Sequence, residues 1–338
     1  MSLHRRSLLS LAAALPLAPA GALLAGASAP LPARAADAWP SRPIKWIVAY
    51  PAGGGSDFLA RQLAPQLGKQ LGQTIIIDNR PGAAGIIGTD AAAKSPGDGY
   101  TILTGDNGAM VFNRAMYRKL PYDPKDFTPL GFMARFPLIL AVAPNSPFTS
   151  ARQWLDEVKK HPGQYTYASP GAGSPHHLAM ELIKDRTGAF IVHVPYRGTA
   201  PALTDVMAGQ VPMMIVDTAG GLAQIRGGKV RALAVLSQHR IPQLPDVPTL
   251  AEIGVPALKD YEATAWQGLF VPRATPPDIA ARLSAEMRKA IEVPEVKTRL
   301  EDFGLEVAPT DGAALAAFIA KEDAFWGKLI RDRKLSAD

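Results

Sequence analysis

Ile44 to Leu67 reads IKWIVAYPAGGGSDFLARQLAPQL. The segment Ile44 to Tyr50 is rich in β-branched and aromatic residues, as a buried strand requires. Pro51 to Asp57 (PAGGGSD) is turn chemistry. Phe58, Leu59, Leu63 and Leu67 then fall on one face of a helix. Strand, glycine-rich turn and helix in one short stretch form the repeating unit of an α/β protein.

The unit recurs outward from there. Ile75 to Ile77, Tyr100 to Leu103 and Leu138 to Val142 read as further strands, with an Ala-rich helix toward Ala93. Tyr165 to Ala168 leads into SPGAGS (Ser169 to Ser174) and a helix carrying Leu178, Leu182 and Ile183. Ile191 to Val194 precedes Pro195 to Pro201 and a helix with Leu203, Val206 and Met207. Met213 to Val216 runs into the Asp217 to Gly221 turn, and Arg231 to Leu236 is another strand. The end is helical, with apolar faces at Ile279, Leu283, Met287 and Ile291, and at Leu315, Phe318, Ile319, Phe325 and Leu329. This alternation predicts largely parallel sheets, and 338 residues suit two domains better than one.

The amino-terminal segment has the pattern of an export signal. His4, Arg5 and Arg6 precede an apolar stretch from Leu8 to about Ala27, broken by Pro16 and Pro19. Ala33-Arg34-Ala35 is a small-x-small cleavage site, which predicts a mature start at Ala36 and a periplasmic protein. Arg5-Arg6 suits the twin-arginine route as well as the general one. The chain has no cysteine. That excludes a lipid anchor on a mature-start cysteine, disulfides, and thiolate chemistry. Residues 1–35 hold three arginines and no acid, so the remainder has 33 basic against 30 acidic residues, a net of +3. This mild excess suits an anionic ligand and gives no footprint for nucleic acid.

Four turns concentrate glycine and hydroxyl residues: Pro51 to Asp57, Pro81 to Gly88 (PGAAGIIG), Ser169 to Ser174, and Arg197 to Pro201 (RGTAP). Glycine lets backbone N–H groups turn toward a bound atom, and a helix start leaves about four such groups unpaired. At the carboxyl ends of strands these features make anion sites. Ser56 or Asp57, and Ser174, are candidate N-caps. PAGGGSD lacks the lysine of a phosphate-binding loop, and Phe58 stands where a dinucleotide fingerprint needs glycine. No G-x-S-x-G or H-E-x-x-H occurs, and no cofactor is implied. His176 and His177 are neighbours that diverge by about 100° on a helix, which suits structural roles better than a shared metal and leaves open that one of them reaches the cleft.

With those loops in view, the chain from about Trp39 onward resembles the tripartite tricarboxylate transporter substrate-binding proteins, also called Bug receptors. The resemblance is carried by WPSRPI at Trp39, PAGGGSD at Pro51, DNRPGAAGIIG at Asp78, SPGDGYTIL at Ser95 and KLPYDPKDFTPLG at Lys119. SPGAGSPHHLAMEL at Ser169, VPYRGTAPALTDVMAGQV at Val194, GKVRALAV at Gly228, LPDVPTLAEIG at Leu244 and WQGLFVP at Trp266 follow in the family order. It implies a two-domain α/β periplasmic-binding-protein fold of type II-like form, with a ligand cleft between domains joined by two crossing strands, Leu138 to Val142 and Gln267 to Val271. Domain 1 would be 36–142 plus 264–338, and domain 2 would be 143–263.

The resemblance further implies cleft residues Gly54, Gly55, Ser56, Asn107 and Gly108 from domain 1. Ala172, Gly173, Ser174, Arg197, Gly198, Thr199, Ala200 and Asp217 would come from domain 2. The ligand would be a small organic acid, and the partners integral membrane transporter subunits, served by a monomer. Two positions depart from the family pattern: Asp106 replaces a small hydroxyl residue, and Ala172 replaces an Asn found in many members. An ionised Asp106 in the cleft would require a ligand with a donor, such as an ammonium or ring N–H. The alternative is that Asp106 caps its own turn. Delivery to a signalling partner remains open beside transport, as does an enzyme built on Ser174 and a histidine, although no activating triad is legible.

Overall fold

The computed structural model describes residues 39–337; the expected signal segment, 1–35, lies outside the described residues. The opening unit is present as β1 (Ile44–Val48) and α1 (Gly55–Leu71). Leu59, Leu63, Leu67 and Leu71 form the buried stripe of α1, and Pro65 sits on its exposed side. Each such leucine contributes roughly 1.5–3 kcal/mol by leaving water. Gly72, at φ 72°, ends the helix in the left-handed conformation that glycine takes without strain.

The first half continues with β2 (Ile75–Asn79), α2 (Ile86–Ala93) and β3 (Thr101–Asp106). A π-helical turn at Gly108–Phe112 then runs into α3 (Asn113–Met116). β4 (Phe127–Val142) follows. The second half holds α4 (Ala151–Lys160), β5 (Thr166–Ser169), α5 (Pro175–Thr187), β6 (Val192–Pro195) and α6 (Thr199–Met207). It closes with β7 (Met213–Asp217), α7 (Thr218–Arg226) and β8 (Arg231–Val235). The chain then returns through β9 (Thr264–Pro272), α8 (Pro277–Glu292), α9 (Pro294–Asp302), β10 (Glu306–Val307) and α10 (Gly312–Asp332).

The strands lie in the order β2-β1-β3-β9-β4-β7-β5-β6, with β8 and β10 also on β4. β1 pairs in parallel with β2 and β3, and β5 with β6 and β7. The centre is antiparallel: β9 runs against β3 and β4, and β4 against β7 and β8. The expectation of largely parallel sheets is therefore corrected to a mixed sheet. Local alternation reports the flanking β-α units and not the direction of the strands that join them.

Both crossing strands also shift. β4 begins at Phe127, not Leu138, and is the one strand shared by the two halves. Pro129, Gly131 and Pro137 hide its first part from a pattern reading. It tolerates them by slipping register between Pro129 and Gly131, and again between Phe132 and Ala134. β9 lies wholly beside β3 and the first part of β4. The return passage comes just before it, where the Ala263 N–H donates to Leu236 O at 2.9 Å. Trp46, Trp154 and Trp266 are fully buried across the two halves. The parallel strands place the carboxyl ends of β1 and β3, and of β5, β6 and β7, at the loops that matter below.

Candidate ligand site at converging helix starts

The first turn of a helix has N–H groups that no carbonyl of that helix can reach. α1 begins after Gly54 and α6 after Gly198, and glycine has no side-chain oxygen to cap them. Ser56 and Asp57, the candidate caps, lie inside the first turn instead. Gly198 has φ +120°, a conformation essentially reserved for glycine. α5 and α7 differ. Ser174 Oγ accepts the His177 N–H at 3.2 Å, and Asp217 Oδ1 accepts the Gly220 N–H at 2.7 Å.

These starts converge. A methyl group added at Gly55 would lie 2.8 Å from Phe136 Cε1 and 3.1 Å from Ala219 Cβ, so α1 meets the first turn of α7. One added at Gly220 would lie 2.8 Å from Thr199 Cγ2, so α7 meets α6. His176 Nε2 is 2.9 Å from Asp217 Oδ2, which ties α5 to α7. The four helix starts are thus linked neighbour to neighbour, and each carries partial positive charge.

A polar cluster around the buried Asp57 holds the first loop. Asp57 accepts the Gly53 N–H at 2.9 Å, Arg61 Nε at 2.9 Å and Asn79 Nδ2 at 3.0 Å. Burial alone would raise this carboxyl. The Arg61 guanidinium, the Gly53 N–H and the Asn79 amide outweigh it and hold Asp57 below its ordinary value. Asp217 is held low in the same way: burial opposes, and the His176 ring and the Gly220 N–H prevail.

Asp106 is engaged with its own turn. Its Oδ1 accepts the Ala109 N–H at 2.8 Å and its Oδ2 accepts the Tyr50 hydroxyl. It is 7% exposed, and burial raises its pKa in spite of those donors. This is the capping alternative: both carboxyl oxygens are engaged by the turn and by Tyr50. Asn107 is fully buried, and its amide bonds Thr264 O at 3.2 Å and the Trp266 N–H at 2.8 Å. It pins β3 to β9. Gly108 starts the π-helical turn, close to Asp106 Oδ1 and Tyr50 Oη.

Of the other expected residues, the convergence gathers Gly54, Gly55, Ser56, Ser174, Gly198, Thr199, Ala200 and Asp217 at the starts of α1, α5, α6 and α7. Ala172 and Gly173 lie in the loop before α5, where the Gly173 N–H donates to His177 Nδ1 at 3.2 Å. Arg197 is exposed and makes no ion pair among the described residues. Ser174 acts as a cap, not as a hydroxyl beside an imidazole. Ser169 Oγ does sit 2.6 Å from His193 Nε2. That ring is stacked between His177 at 4.1 Å and Tyr167 at 4.9 Å. Burial and the neighbouring His177 push it down to about 3.

Sequence reasoning passed over Tyr50, Asp57 as a loop anchor, Arg61 and Asn79, and placed Gln267 only within a strand. Arg61 four residues beyond Asp57 was a readable helical pair. The Gln267 amide donates to the Ser56 hydroxyl across 211 residues of chain, which nothing local announces.

Comparison with known proteins identifies the family. Residues 59–335 match the model of the tripartite tricarboxylate transporter family receptor. Protein BugT of Bordetella pertussis is 36% identical over 310 residues, 91% of this chain and 93% of that one. Two solved structures superpose closely. Rpa4515 of R. palustris with adipate has a TM-score of 0.82 at 34% identity, covering 88% of this chain and 99% of that chain. MatC from Rhodopseudomonas palustris with bound malate has a TM-score of 0.77 at 31% identity, covering 86% and 100%. The chain belongs to the tripartite tricarboxylate transporter receptor family. It is a solute-binding protein of the Bug type. No helix among the described residues is long and apolar enough to cross a membrane.

Proposed function

We propose that this chain captures a small organic acid outside the cytoplasm and delivers it to integral membrane transporter subunits. Capture is by closure of two domains, 36–142 plus 264–338 and 143–263, about β4 and the passage before β9. The observation that carries this reading is the pair of uncapped glycine starts, at Gly54 and Gly198, meeting the capped starts at Ser174 and Asp217. N–H donors without side-chain caps suit a carboxylate, and relatives with adipate and malate support that class. Closure on a ligand needs no catalytic group.

Thermal unfolding of the purified protein against a panel of small mono-, di- and tricarboxylates tests it. A ligand at 100 times its Kd adds about 2.7 kcal/mol of stability, which raises Tm measurably. No shift with any acid overturns the reading. Chemical conversion of an acid that does bind would assign an enzyme instead. Uptake of the acid by cells lacking the chain, compared with complemented cells, tests delivery.

A further inference from the structure

Away from β4 and β9, hydrogen bonds join the two halves at two places. At one, Arg333 at the end of α10 meets Glu181 of α5, with N–O distances of 2.9 Å. At the other, the turn after α9 meets the start of α7. Thr218 Oγ1 donates to Gly304 O, and Gln243 Nε2 donates to Glu301 O at 2.9 Å. The first place is a charged pair on a carboxylate that is only 2% exposed. The second uses neutral donors and main-chain carbonyls. Neutral hydrogen bonds are the weaker kind, and so the kind that is readily broken and remade.

The local structure of the turn explains why those carbonyls are available. α9 ends in a Schellman arrangement: the Gly304 N–H donates to Glu301 O at 2.9 Å, and the Leu305 N–H to Leu300 O at 3.1 Å. Leu300 and Leu305 are buried in the same core as Leu59 and Leu63 of α1, which fixes the turn to the first half. Gly304 has φ +96°, and a methyl group there would lie 2.7 Å from Thr218 Cβ. Glycine is thus required twice, by the backbone and by the close approach of α7. Phe303 stacks on Phe58 at 3.7 Å, with the rings 15° apart. Phe58 lies at the first turn of α1, and Thr218 opens α7 directly after the Asp217 cap. One turn therefore touches two of the helix starts at the candidate site, one from each half.

We propose that the turn from Glu301 to Gly304 is a latch that holds the two halves together over a bound acid, with Thr218 and Gln243 as the positioning residues that engage it. This rests on the reading of capture by domain closure above. Thr218 is 1% exposed with the latch made. Parting the halves returns its hydroxyl and both carbonyls to water, so each bond shifts the balance by only about two- to tenfold. That is enough to slow release of the acid and too little to prevent it. Neither Thr218 nor Gln243 has to touch the acid for this.

The test uses the purified protein with adipate, malate and the acid of the panel that raises Tm most. Release is read as the rate at which radiolabelled acid leaves on dilution into unlabelled acid, and closure as compaction in small-angle X-ray scattering. Thr218→Val keeps the shape and removes the hydroxyl; Gln243→Ala removes the amide. Each should speed release about two- to tenfold, and the double variant more than either, while the ligand-free Tm falls little. A merely structural role would lower the ligand-free Tm and leave release unchanged. The two residues lie on separate segments, so misfolding of one variant leaves the other to decide. Release at the wild-type rate from the folded variants overturns this inference alone. No compaction with an acid that does bind, or no binding by any acid, overturns the closure reading, and this inference with it.

Discussion

The starts of α1 and α6 contrast with those of α5 and α7. All four follow parallel strands, and contacts at Gly55, Gly220 and His176 link them. The first pair begins on glycine with no side-chain cap; the second begins on Ser174 and Asp217, whose oxygens hold backbone N–H groups. A glycine start gives up only a few tenths of a kcal/mol relative to a capped one, so leaving these two helices without a side-chain cap is a small sacrifice. The uncapped pair keeps donors available, while the capped pair fixes the geometry around them.

The sharpest way to break the contrast is Gly55→Leu. Its side chain would collide with Phe136 and Ala219, parting α1 from α7. Acid binding should fall more than about a hundredfold, with about 1–3 kcal/mol of stability lost to overpacking. Titration calorimetry and thermal melts read the two effects separately.

Gly54→Asp converts an uncapped start into a capped one. Gly54 has φ −84° and ψ 173°, which any residue adopts, and its nearest neighbour would be Pro51 O at 3.6 Å. Stability should rise by a few tenths of a kcal/mol, while affinity for the acid drops about tenfold or more as a new carboxylate takes the donors. Unchanged affinity would show that α1 holds no ligand charge.

Acid tests the capped side. His177, which takes the Gly173 N–H, is pushed down to about 4 by burial. It stays neutral in the fold but protonates near 6.5 when unfolded. Its stabilising effect is therefore complete above pH 6.5 and lost as pH falls toward 4, by up to about 3 kcal/mol. Denaturant melts across that window should show the loss, and His177→Asn should flatten it.

The smallest effect is expected from Ser174→Ala. It removes the cap on α5 at a cost of about 1 kcal/mol. Affinity should change less than about threefold, since the cap orients the loop without giving its donors away.

The same contrast shows what was legible beforehand. The glycine clusters at Gly53 to Gly55 and the Ser174 cap were readable, because a turn and its following helix are local. Asp106 was not. Whether it faces a ligand or its own turn depends on Tyr50, brought beside it only when β1 pairs with β3. Gln267 was quoted only within a strand, since its tie to Ser56 needs β9 to return beside β3. β4 was half legible: Leu138 to Val142 is an unbroken apolar run, whereas Phe127 to Pro137 relies on bulges that no alternation pattern encodes.

The sheet has two open ends, β2 and β6. Each shows water a branched aliphatic side chain: Ile76 is 52% exposed and Val192 40%. An unpaired strand edge of this kind is a template for another strand, and so a seed for aggregation. In concentrated solution these two rims are where molecules would stick to one another. A lysine at Ile76 or Val192 would act as a gatekeeper, extending storage life and leaving the helix starts untouched.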